Sequence, residues 1–230
     1  TQGALAAVSV STAQNDGTVV SSRSDKGIGI YAQDTGSKGI NTGTITMEHE
    51  NAIGMYGKDV AELQNAVPLT PGTPSTPGTP PLTIKLKETG SVGMYGVVSA
   101  SATVAPFTVT NAGTIELEKG GSAGIYLVNN STKTTSADKI ANLSASNTGT
   151  IKLKSGEGSI GIYAPKSTIS DVGTITMEKS MAPNSVDTTK SIAAYISDGG
   201  TIADASTANI NLGTSGSNIA YYVKNAGTSI

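Results

Sequence analysis

The chain has no cysteine and no tryptophan, a single phenylalanine and a single histidine in 230 residues. Each shortage removes a class of chemistry. Without cysteine there are no disulfides, no thiolate metal sites and no cysteine nucleophile. With His49 alone, no set of imidazoles can converge on a metal, and Glu48-His49-Glu50 lacks the second histidine four residues on that a zinc-protease helix requires. A Ser-His-Asp triad would have to recruit the same residue, and no Gly-x-Ser-x-Gly elbow leads into a helix, so His49 reads as a solvated surface residue. Arg23 is the sole guanidinium among 15 basic residues and the formal net charge is -2, which leaves no basic patch for nucleic acid or acidic membranes. No apolar run approaches the roughly 18 residues of a membrane-spanning helix, and residues 1–10 lack the charged start of a signal peptide. Direct membrane insertion is not expected. Helical stripes of useful length are also absent.

What the chain does contain is a repeat in two halves. The first half reads Asn-x-Gly-Thr-Ile-x-Met/Leu at Asn41 to Met47, Asn111 to Leu117 and Asn147 to Leu153, with looser copies at Asn15 to Val20 and Asp171 to Met177. The second reads apolar-Gly-apolar-Tyr and ends at Tyr31, Tyr56, Tyr95, Tyr126 and Tyr163, with weaker copies ending at Tyr195 and Tyr222. Thr18 to Tyr31, Thr44 to Tyr56, Thr83 to Tyr95, Thr114 to Tyr126, Thr150 to Tyr163 and Asn209 to Tyr222 are each 12 or 13 residues apart. Only Thr174 to Tyr195, 21 apart, breaks this rule, whereas the spacing from each Tyr to the next anchor is loose. Units without insertion are 26 residues (18 to 44) and 24 residues (150 to 174), enough for three short strands and their bends.

Within the halves, apolar residues alternate with polar ones (Ile45 and Met47, Ile84 and Leu86, Ile115 and Leu117), the period of a strand with one buried face. Stacking each strand on its equivalent would place like charge on like charge about 4.8 Å apart. Glu48, Lys87, Glu118, Lys154 and Glu178 alternate in sign from copy to copy, and Glu116 lies between Lys85 and Lys152 at a second position. This is the pattern expected of in-register parallel stacking. The expected fold is all-β, a right-handed parallel β-helix of about seven rungs, with residues 1–230 forming a single segment. Insertions are expected at about 57–81, 96–106, 127–141 and 179–190. Because the chain stops inside Asn225-Ala226-Gly227-Thr228 without a polar cap, it is expected to be an internal piece of a longer protein.

The tandem Asn-x-Gly-Thr-Ile and Gly-Ile/Met-Tyr blocks, the lack of Cys and Trp and the Thr/Ser/Asn-rich loops resemble the passenger regions of large fusobacterial type V autotransporter adhesins. The resemblance covers nearly the whole chain, and its motifs are those that build rungs. It implies a monomeric β-helix displayed outside the bacterial outer membrane, attaching to a protein or glycan on host cells or other bacteria, without catalysis and without a cofactor. The alternative readings are a polysaccharide-degrading β-helix enzyme and a purely structural stalk with binding elsewhere. The enzyme would need clustered carboxylates and basic residues, but Asp25, Asp34, Asp59, Glu157 and Asp198 are scattered over different rungs.

Three features are candidates for contact with a partner. The tyrosines, Tyr95 and Tyr126 among them, follow two inward apolar positions; beside Gly29, Gly54, Gly93, Gly124 and Gly161 they could stack sugar rings or form a ladder on themselves. The Asn before each Gly-Thr suits turn chemistry and an amide ladder. The long connections after Tyr56, Tyr95 and Tyr126 are expected to emerge side by side, with Thr73, Pro74 and Thr76 in a Pro-rich low-complexity stretch and Asn129, Asn130 and Thr132 in the third. Phe107, in phase with Val109, is expected to fill the core.

Overall fold

The computed structural model describes residues 5–7, 11–22, 26–66, 82–100, 107–131, 143–155, 157–178, 190–206, 208–213 and 217–225. Its strands form three parallel sheets, and the chain visits them in the same order on every turn. Sheet A contains Leu5–Ala7, Ile28–Gln33, Ile53–Lys58, Val92–Val98, Ala123–Asn129, Ile160–Pro165, Ile192–Ser197 and Ile219–Lys224. Sheet B contains Thr12–Asn15, Lys38–Asn41, Glu62–Asn65, Phe107–Asn111, Leu143–Asn147, Thr168–Asp171 and Thr201–Ile202. Sheet C contains Thr18–Ser21, Thr44–Met47, Thr83–Leu86, Thr114–Leu117, Thr150–Leu153, Thr174–Met177 and Asn209–Asn211. This is a right-handed parallel β-helix of about seven rungs.

Register follows the repeat. Ile45, Ile84, Ile115, Ile151 and Ile175 stack as one column inside sheet C, and Met47, Leu86, Leu117, Leu153 and Met177 form the next. All are buried. Removing a side chain of this size from water contributes about 1.5–3 kcal/mol, so the columns of sheet C together with Leu63, Val109, Ala145 and Ile169 of sheet B form one continuous core. Phe107 belongs to it and is fully buried. The β-branched and threonine-rich strands suit this pleated, half-buried setting.

The glycines of the second half turn inward. In Ile28–Gln33, Ile30 and Ala32 are buried while Ile28 and Tyr31 are partly exposed, so Gly29 and Ile30 both face the interior and the strand bends between them. A Cβ on Gly29 would lie 2.6 Å from the Gly54 carbonyl oxygen and 2.8 Å from Ile45 Cγ2. Gly54, Gly93 and Gly124 meet Ile84, Ile115 and Ile151 in the same way. The missing side chain lets sheet A close onto the isoleucine column, and these positions offer no open floor beside the tyrosines.

The insertions leave from different corners. The strand Glu62–Asn65 falls inside the expected 57–81 insertion, so the long connection there joins sheet B to sheet C, between Asn65 and Thr83. The connections from Val98 to Phe107 and from Asn129 to Leu143 join sheet A to sheet B, and that from Met177 to Ile192 joins sheet C to sheet A. Of the connections after Tyr56, Tyr95 and Tyr126, only the last two therefore share a corner. The spacing from Tyr to the next anchor crosses two corners and a whole strand, so its length cannot say which corner was lengthened.

The bend yields a contrast within one residue type. Gly93→Ala drives a methyl to 2.6 Å from the Gly124 oxygen and 2.7 Å from Ile115, and overpacking of this kind costs about 1–3 kcal/mol. Gly17→Ala meets nothing within 4 Å and should be neutral or stabilising by up to about 1 kcal/mol. Urea unfolding followed by circular dichroism should separate the two; equal midpoints would contradict the inward bend.

Candidate interaction faces

The outer face of sheet A carries the tyrosines. Tyr31, Tyr56, Tyr95, Tyr126, Tyr163, Tyr195 and Tyr222 form one column, with successive ring centroids 4.5–5.5 Å apart and planes inclined by 4–24°. Such pairs contribute about 0.5–1.5 kcal/mol beyond the area they bury. Tyr31 donates its hydroxyl proton to Gln33 Oε1. Burial, then the neighbouring phenols, pushes the Tyr56 and Tyr163 hydroxyls above the usual tyrosine range, and burial followed by Tyr126 does so for Tyr95. Each internal ring has both faces covered by its neighbours. A sugar stacking on Tyr95 or Tyr126 would need a free face, so the column is a ladder that presents ring edges and hydroxyls outward.

The outer face of sheet C carries the charges. The amides of Lys87, Glu118, Lys154 and Glu178 each donate to the carbonyl one rung below, at Met47, Leu86, Leu117 and Leu153, so the column beginning at Glu48 is in register. Glu48 pairs with Lys87 at 2.5 Å, Lys85 reaches diagonally to Glu118 at 2.7 Å, and Glu116 holds Lys154 at 3.0 Å and Lys152 at 3.5 Å. Burial pushes the Glu116 carboxyl up. The Lys154 hydrogen bond and the charges of Lys154, Lys152 and Lys85 outweigh that, and its pKa lies below the ordinary glutamate value. Lys38–Glu62 on sheet B and Lys119–Glu88 beyond sheet C add pairs across successive rungs.

Two corners are held by buried polar ladders. At the corner from sheet B to sheet C, the amide of Asn15 donates to Asn41 at 2.8 Å, Asn41 to Asn65 at 2.8 Å, Asn65 to Asn111 at 2.7 Å and Asn111 to Asn147 at 2.7 Å. A buried amide left unpaired would be costly; the ladder satisfies each one with its counterpart. Asp171 does not continue it. The register slips there, pairing Ser146 with Asp171, and the Asn147 amide turns to the Val172 carbonyl at 2.6 Å. Asn225 is also outside it, exposed in a left-handed conformation with φ 75° and hydrogen-bonded to Asp198.

The second ladder was not anticipated. At the corner from sheet C to sheet A, the hydroxyls of Ser91, Ser122, Ser159 and Ser191 accept from the backbone amides of Ala52, Ser91, Ser122 and Ser159, and the Ser191 amide donates to Asn218. All four serines are buried. Each stands two residues before the Gly or Ala of the second half, so extending that motif by one position toward the N-terminus would have found it. Asn65 escaped because no Gly-Thr follows it.

The candidate contact residues divide. Asn129 is buried, its amide donating to the Lys166 carbonyl at 2.7 Å and its oxygen accepting from the Ser131 amide at 3.1 Å. It closes a corner and is not presented to a partner. Asn130 is exposed at that corner, while Thr73, Pro74, Thr76 and Thr132 lie outside the described residues. His49 is half-buried rather than solvated, and its Nε2 is enclosed without a partner. Among the described residues, no three His, Cys, Asp or Glu side chains are grouped to hold a metal. Comparison with family models, with curated proteins and with solved structures finds no match for this chain.

The Glu116 cluster gives a pH test. A carboxyl held below its ordinary value stabilises the fold above the unfolded glutamate pKa of about 4.3, and that stabilisation is lost as pH falls through the native value. Glu116→Gln should therefore cost about 0.5–1 kcal/mol at pH 7, and the gap to the parent should close below about pH 4. A gap that is constant or widens with acid would remove the cluster's role.

Proposed function

We propose that this chain is a rod-like display segment of a surface-exposed bacterial adhesin, of the autotransporter passenger type its motifs resemble, with no catalytic step of its own. The observation that carries this reading is how the described faces satisfy themselves along the axis. Tyrosine rings cover tyrosine rings, lysines neutralise glutamates one rung away, and buried Asn and Ser side chains bond to the next rung. Such a surface builds a stiff spacer that lengthens by about 4.8 Å per rung.

Contact then falls to the connections. Those from Val98 to Phe107 and from Asn129 to Leu143 leave the same corner on successive rungs, with Asn130 exposed beside them. Loops fixed on a rigid scaffold are where contact residues usually reside. The partner proposed is a protein or glycan on a host cell or on another bacterium, met outside the outer membrane. The connection between Asn65 and Thr83 opens from another corner and is assigned to spacing.

The test is attachment of the immobilised chain to host cells, to bacteria and to a glycan array, with the two sheet A to sheet B connections shortened to the length seen between Pro165 and Thr168. Loss of attachment in a variant that keeps its β-sheet spectrum is the expected result. Full attachment by that variant would move the site to the strand faces. New reducing ends in the glycans would replace the display reading with the polysaccharide-cleaving one.

A further inference from the structure

The tyrosine column is also a cluster of oxidisable side chains. The chain has no Trp and no Cys, the residues that would otherwise compete for a one-electron oxidant. Met47, Met55, Met94 and Met177 are buried, whereas the column tyrosines are all partly or well exposed at their edges. An oxidant arriving on sheet A therefore meets phenols in contact with other phenols.

One pair stands out. Tyr126 and Tyr163 are register partners on sheet A and have the shortest centroid separation in the column, 4.5 Å, with planes inclined by 19°. Stacked rings on register partners set the ortho carbons of one phenol over the ring of the other. They belong to adjacent rungs, with the connection from Asn129 to Leu143 lying between them in sequence.

We propose that the column is an oxidative modification site at which Tyr126 and Tyr163 are joined as dityrosine, riveting two rungs together. A one-electron oxidant, such as a metal complex in its upper oxidation state, takes one electron from each phenol, and each phenolic proton leaves to water. The two phenoxyl radicals form one carbon–carbon bond between their ortho positions. The ortho hydrogens then shift to the oxygens and both rings regain their phenols, so two electrons and two protons are removed in all.

The experiment is photo-oxidation of the folded chain with a ruthenium tris-bipyridyl complex and persulfate, followed by proteolysis and mass spectrometry of the linked peptides. The expected result is an intrachain Tyr126–Tyr163 link whose yield does not change on dilution and which raises the melting temperature. In denaturant, where the rings are no longer held together, its yield should drop about tenfold or more. Tyr126→Phe should abolish it and pass coupling to Tyr163 and Tyr195, 4.8 Å apart. Links only between chains, rising with concentration, would overturn the proposal. So would oxygen uptake on single tyrosines without coupling, or an equal yield from the unfolded chain.

Discussion

Parallel strands about 4.8 Å apart seat each side chain on its own counterpart in the next rung, and this like-on-like contact governs which residues the chain can repeat. Asparagine carries a donor and an acceptor on one planar group, so a row of Asn15, Asn41, Asn65, Asn111 and Asn147 bonds to itself. Tyrosine stacks on tyrosine and isoleucine on isoleucine. Charge cannot repeat in this way. On sheet C it alternates, and the pairs of Glu48 with Lys87 and of Glu116 with Lys152 and Lys154 follow from that single restriction. Exposed pairs of this kind contribute little stability, but a slipped register would set like charges together. Their weight lies in choosing the register.

The same restriction fixes where the rod can vary. A residue inserted within a strand would shift every later side chain to the wrong face. The long connections accordingly fall between strands, from Asn65 to Thr83, Val98 to Phe107, Asn129 to Leu143 and Met177 to Ile192. The corners can be tight because their buried polar groups are satisfied along the axis by Asn at one corner and Ser at another. The faces are occupied with themselves and the connections are free to differ, which is the division of labour behind the display reading.

The three-sheet solenoid and its register were legible in the sequence because they depend on repetition. Glu48, Lys87, Glu118 and Lys154 identify equivalent positions without any structure, and Ile45 with Met47 shows which face is inward. Features that depend on the path between equivalents were not legible. The connection after Tyr56 looked alike in place to those after Tyr95 and Tyr126, yet Glu62–Asn65 intervenes and moves it to another corner. Gly29 and its equivalents looked like open floor beside the tyrosines, because strict alternation predicts outward positions, whereas two consecutive inward residues bend the strand. Asn129 looked like a loop residue and is a buried corner bond. In each case the deciding fact is a distance between residues far apart in sequence.

The most direct measurement of the account's central claim uses the chain's lack of cysteine. Thr83 and Thr114 are register partners on sheet C, whereas Glu116 is two residues further along. In-register neighbours about 4.8 Å apart fall within the Cα separation of about 4.4–6.8 Å that a disulfide accepts. The double variant Thr83→Cys with Thr114→Cys should therefore lose its free thiols readily under mild oxidation. Thr83→Cys with Glu116→Cys should retain them. The opposite preference would show that the strands do not stack like on like, and the ladders, the charge alternation and the rod would fall with that result.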